Sequence, residues 1–130
     1  MKSKINFKMF IFLASFFVGC KEKELDSPYI TILTPVANQV FQDKDSIRVE
    51  ARIEPKNTSV VNSIITIKDK KGHVLAQSNL GCACENLPVI TLKKALIYPV
   101  KQNQDLTLEI CADLQNGVRI CETRPFVIVK

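Results

Sequence analysis

Residues 46–53 set the tightest limit on what this chain can fold into. Ile47, Val49, Ala51 and Ile53 alternate with Arg48, Glu50 and Arg52. A period of two places all the apolar side chains on one side of an extended strand and the charged ones on the other. A helix would scatter the same residues around its axis. Residues 105–113 repeat the pattern, with Leu106, Leu108, Ile110 and Ala112 inward and Thr107, Glu109 and Cys111 outward. Strands with one apolar face need a second layer to cover it.

The remaining segments supply partners for these two. Residues 27–35 hold Ile30 and Ile32 on one face between Pro28 and Pro35, which predicts a short strand at a sheet edge, where proline is tolerated. Residues 60–69 form another strand, with Val61, Ile65 and Ile67 in phase. Lys70, Lys71 and Gly72 turn the chain, and 73–77 return around Val74 and Leu75. Residues 89–92 and 96–100 are β-rich and read as two pieces broken by Lys93 and Lys94. Gln115, Asn116 and Gly117 make a three-residue hairpin loop, with Gly117 at the left-handed position that closes it. Residues 118–121 pair back, and 126–129 finish the chain beyond a kink at Pro125. Apart from the apolar run near the N-terminus, no segment carries a helical pattern.

Many short strands, hairpin turns and no helix predict an all-β fold, an antiparallel β-sandwich of about seven strands. Segments 35–41, 45–51, 65–72 and 106–117 resemble successive strands of bacterial immunoglobulin-like domains. That resemblance implies an immunoglobulin-like sandwich over residues 28–130, of a kind common on Gram-negative surface lipoproteins. The core tryptophan of antibody domains is missing.

The N-terminus addresses the chain elsewhere. Lys2, Lys4 and Lys8 precede an apolar run over 9–19 that stops at Cys20. A basic segment followed by a short apolar one is a secretory signal, too short for a permanent span. Gly19 and Cys20 resemble the lipobox of bacterial lipoproteins, with Phe17 where leucine is commoner, a variation found in Bacteroidetes. The resemblance implies a signal peptide over 1–19 and an acylated Cys20 (palmitate among its chains) as the mature N-terminus. It also implies a charged tether over 20–27 and attachment to the outer membrane, in the periplasm or at the surface. Several acyl chains hold firmly, because each buried methylene is worth about 0.8 kcal/mol. The chain of 130 residues has a net charge of +5. It loses three lysines with the signal, and no stretch interleaves cations with aromatics, so no nucleic-acid partner is expected.

An exported chain meets oxidising surroundings, so Cys82, Cys84, Cys111 and Cys121 read first as disulfide partners, with three possible pairings. The hairpin loop sets Cys111 opposite Cys121 at a non-hydrogen-bonded pair, where side chains come closest, which favours a Cys111–Cys121 bond. That leaves Cys82 and Cys84, one residue apart, to close a small ring or stay reduced. A loop folded over the outer face would instead give each of them a partner from the hairpin. Zinc knuckles space paired cysteines further apart, so Cys82-Ala83-Cys84 argues against a metal. A reactive thiol needs a cation or helix N-terminus nearby, and Glu85 works against it.

Little else suits catalysis. His73 is the one histidine, beside a turn, and Glu50, Glu109 and Glu122 lie on strand faces a sandwich exposes. No glycine-rich loop cradles phosphate. The expectation is a non-enzymatic binding or structural module without cofactor or metal. It would be held to the membrane by its lipid, and its partner would be an envelope protein or a glycan. Binding would use the connections at 39–42 and 78–88, with Val40, Phe41, Asn79 and Glu85 as candidates. The alternative is a thiol-redox or metal-binding envelope lipoprotein using Cys82 and Cys84.

Overall fold

The computed structural model describes residues 27–81 and 87–130. Cys20, Cys82, Cys84 and Glu85, with the signal and most of the tether, lie outside the described residues. Eight strands follow in order: β1 (Tyr29–Thr34), β2 (Gln39–Gln42), β3 (Ser46–Glu54), β4 (Val60–Asp69), β5 (Val74–Asn79), β6 (Ile90–Ile97), β7 (Gln104–Leu114) and β8 (Arg119–Val129). They form two sheets, β1-β3-β6 and β2-β8-β7-β4-β5. Among the described residues there is no helix.

The alternations do what their period requires. Ile47, Val49, Ala51 and Ile53 of β3 are buried, as are Leu106, Leu108, Ile110 and Ala112 of β7. Ile30 and Ile32 from β1, Ile65 and Ile67 from β4 and Phe126 and Ile128 from β8 complete the core between the sheets. Gly117 takes a φ of 87° at the end of the three-residue loop, and Leu114 N donates to Val118 O across it. β1 is an edge strand, as its two prolines predict.

Five sequence readings need correction. The sheets are not wholly antiparallel, because β2 runs parallel to β8. Residues 39–42 are therefore a strand and not a binding loop. Phe41 is buried and meets Phe126 edge to face, with ring centroids 5.8 Å apart. Val40 does point to solvent. In β4 the register slips between Val60 and Asn62, so Val60 turns into the core and Val61 out. A bulge adds one residue to one strand and so reverses the faces beyond it.

Lys93 and Lys94 do not break a strand. β6 runs unbroken through them along β3, with Lys93 opposite Glu50 and Lys94 opposite Val49. As an edge strand it tolerates the charges, and a lysine on the inward register hinders further pairing. Nor does Pro125 interrupt β8, which pairs with β7 on both sides of it. Pro125 O accepts from Asn38 N on the β2 side. Its nitrogen faces that side too, so no bond of the β7–β8 ladder is lost.

Candidate functional site

Strand direction sorts the connections into two ends of the sandwich. At one end lie the entry to β1, the β3–β4 loop, the residues leading into β6 and the β7–β8 hairpin. At the other lie the β1–β2, β2–β3, β4–β5 and β6–β7 connections and the C-terminus.

The first end holds an open cleft of about 540 Å³, walled by Lys56, Asn57 and Thr58 on one side, Gln115 and Asn116 on another, and Leu87 and Pro88 on the third. The two loops are tied together, since Gln115 N donates to Ser59 O. Lys56 sits at a φ of 57°. Its ammonium lies 3.1 Å from Glu54 and 5.1 Å from the centroid of the Tyr29 ring. Glu54 also accepts a hydrogen bond from the Tyr29 hydroxyl, which lowers the carboxyl's pKa and raises the phenol's. Among the described residues the cleft thus offers amides, hydroxyls and one ammonium, with no carboxylate and no imidazole on its wall. Such a lining hydrogen-bonds a polar ligand, while general acid–base chemistry needs a titratable pair that these residues do not contain.

The opposite end carries the histidine. Asp69 Oδ1 accepts from the backbone N–H of Lys71 and His73, and Oδ2 lies 2.9 Å from His73 Nδ1. The His73 N–H bond chiefly holds the Asp69 carboxyl below its usual value. The carboxylate is thereby used up in shaping the β4–β5 turn. The neighbouring surface adds Lys70, Lys71, Gln102, Asn103, Gln104 and Asp105, and none of these is a hydroxyl or thiol nucleophile.

Cys111 and Cys121 are bonded to one another across β7 and β8, with Cα atoms 4.1 Å apart. They are direct partners in the register, and the hydrogen-bonded pair Leu114–Val118 makes them a non-hydrogen-bonded pair. Both lie on the outer side of the five-stranded sheet, Cys121 exposed and Cys111 buried by its neighbours. Glu109 brings a carboxylate oxygen 3.6 Å from Cys111 Sγ, and the three ligand atoms lie within 4.8 Å of one another. A sulfur in a disulfide is no thiolate, so this group does not meet the donor requirement of a zinc or iron site. Glu109 is instead occupied by Lys68, 3.1 Å away.

Of the sequence-chosen binding residues that are described, none reaches the cleft, although Leu87 and Pro88 of the chosen 78–88 connection form one of its walls. Phe41 is core, Val40 is on the opposite edge of the sheet from β5, and Asn79 closes β5 with its side chain accepting from Gly81 N. Asn57, Gln115 and Asn116 were legible only as turn residues. Their convergence follows from two separate loops sharing one end of the sandwich, which no local pattern encodes.

No protein-family model matches the sequence, and no curated protein is similar to it in sequence. The chain is similar in structure to Spo0M, a sporulation control protein from Bacillus subtilis, at 6% identity, over 80% of this chain and 49% of that one, with a TM-score of 0.58. It is similar as well to fibronectin(III)-like modules of CbhA from Clostridium thermocellum, at 21% identity, over 78% and 47%, with a TM-score of 0.52. The chain spans about half the length of either. At these identities the likeness is one of fold, an immunoglobulin- or fibronectin-like β-sandwich.

Proposed function

We propose that this chain is a lipid-anchored module of the bacterial outer membrane. It binds a glycan or another envelope protein through the cleft between the β3–β4 loop and the β7–β8 hairpin, and it catalyses nothing. The observation that carries the binding part is the lining of that cleft: amides and hydroxyls from two loops braced against each other, with Lys56 as the one charge among the described lining residues. Loops on a rigid sandwich present such groups without disturbing the core. The anchoring part rests on the N-terminal sequence alone, a basic segment and an apolar run ending at Gly19 and Cys20.

Two measurements test the reading separately. Cys20→Ser abolishes incorporation of a palmitate analogue and releases the protein from sedimented membranes; unchanged sedimentation refutes the anchor. A photo-crosslinking residue at Asn57 captures a partner in intact cells, whereas the same residue at Gln102, at the far end, does not. Equal capture from both positions refutes the assignment of binding to the cleft.

A further inference from the structure

The outer faces of the two sheets carry charge differently. On the five-stranded sheet the charges are matched: Lys68 meets Glu109, and Arg119 makes a two-point contact with Asp113 at 2.6 and 3.0 Å. On the three-stranded sheet Arg48, Glu50 and Arg52 project outward from β3, and Lys93 projects outward from β6 beside them. Lys94 is exposed on the same edge strand. Among the described residues no ion pair uses Arg48, Arg52, Lys93 or Lys94.

With Lys56, this outer face sets four cations against Glu50 and Glu54. Everywhere else in the described residues nine cations face seven carboxylates. Half of the net positive charge of the described residues is therefore on one flat side. The same side exposes Tyr29 at one end and Ile97, 66% exposed, at the other. Aromatic and aliphatic side chains flanking cations suit the boundary between headgroups and acyl chains.

Where the chain enters matters as much as the charge. The segment outside the described residues ends at Asp26, and three residues later Tyr29 begins β1, the edge of this same sheet. Only six residues separate Cys20 from Ser27. We infer that the outer face of the β1-β3-β6 sheet lies against the membrane, its Arg48, Arg52 and Lys93 meeting anionic phospholipid headgroups. This inference rests on the anchor reading for its proximity and on the charge pattern for its orientation. Each cation near an anionic surface multiplies the preference for that orientation by about fivefold, and salt cancels it as the screening length shortens.

The test uses the lipidated protein purified from membranes and restored to vesicles of two kinds. One is phosphatidylcholine alone, the other phosphatidylcholine with about a third phosphatidylglycerol. A membrane-impermeant amine reagent labels exposed lysines, and peptide mass spectrometry reads Lys93 against Lys71, which lies in the β4–β5 turn. On anionic vesicles the Lys93-to-Lys71 labelling ratio falls at least about fivefold. It recovers in about 1 M salt, where the screening length is about 3 Å. Arg48→Glu with Arg52→Glu restores the ratio without salt; both side chains are exposed, so the fold tolerates the change. A protein that floats with both vesicles at one unchanged ratio overturns the inference and leaves the anchor standing. A protein that does not float with neutral vesicles overturns the anchor. If its Lys93 is then protected on anionic vesicles alone, the orientation survives without it.

Discussion

Cys111→Ala combined with Cys121→Ala removes the one cross-link the structure describes, and its cost can be worked out. The two cysteines are 10 residues apart in sequence. Closing a loop of that size in the unfolded chain removes entropy worth about 2.7 kcal/mol at 25 °C. The Cys111 sulfur is buried, and a gap of ~25 Å³ at about 24 cal/mol per Å³ adds ~0.6 kcal/mol. The expected loss is about 3 kcal/mol, a large share of the 5–15 kcal/mol typical of a domain. In urea, followed by circular dichroism, the midpoint moves down by about 2 M for a slope of ~1.5 kcal/mol/M. Substitution is used in place of a reductant, because a reductant would also reach Cys82 and Cys84. A loss below about 1 kcal/mol at unchanged slope refutes the reasoning. It would mean that the unfolded chain already holds the hairpin around Gln115–Gly117, leaving the bond little entropy to remove.

Three further outcomes follow from the fold. Phe41→Ala costs about 3 kcal/mol by thermal or urea unfolding, while Val40→Ala stays within about 0.5 kcal/mol; similar small losses at both would return Phe41 to the surface. Gly117→Ala costs about 1 kcal/mol, all of it conformational, because nothing lies within 4 Å of an added Cβ and only the φ of 87° objects; a neutral result would show that the loop can adopt another turn. The carboxyls of Glu54, Asp69 and Asp113 are all held below their ordinary values, by the Tyr29 hydroxyl, the His73 N–H and the Arg119 guanidinium respectively. Their stabilisation is complete above the unfolded-state values near pH 4 and is lost as pH falls through the lower folded values. Melting temperatures should therefore be level from pH 7 to 5 and fall below about pH 4, with a shallower fall in Asp113→Asn; a decline already under way between pH 7 and 5 would contradict the assignment.

The parts of the fold that could be read in advance are those in which burial acts on one strand at a time. β3 and β7 alternate because each has one dry and one wet face, and a period of two survives any choice of neighbours. The Cys111–Cys121 register was legible for a related reason: a three-residue loop ending in Gly117 fixes the pairing of everything that follows it. What escaped depends on tertiary partners. A bulge at Val61 shifts the apolar phase of β4 by one residue, and its cause is the match to β7. Residues 39–42 form a strand because β8 offers a free edge beyond Pro125, not because four residues favour extension. Lys93 and Lys94 suggested a break, yet an edge strand can keep a lysine even on its inward register, as Lys94 is opposite Val49. The cleft was hidden for the same reason, since Asn57 and Gln115 are nearly sixty residues apart and meet only when both loops close the same end.

The two proposals constrain each other through geometry. From Cys20 to Ser27 a fully extended chain spans at most about 25 Å, less than the ~36 Å of an eleven-residue strand such as β8. The tether also enters at the cleft end, since Tyr29 pairs with Glu54 beside the β3–β4 loop. A molecule standing upright on so short a leash would turn the cleft down towards the lipid, where a partner could not reach it. Laid on its three-stranded sheet, it turns the cleft sideways and leaves both loops open to solvent. Charge on one face thus does for the cleft what the loops cannot do for themselves. Arg48→Glu with Arg52→Glu should then weaken partner capture from Asn57 in cells while leaving the fold and the lipid untouched. Undiminished capture with the face demonstrably released from the membrane would separate posture from binding, and the cleft would have to work in either orientation.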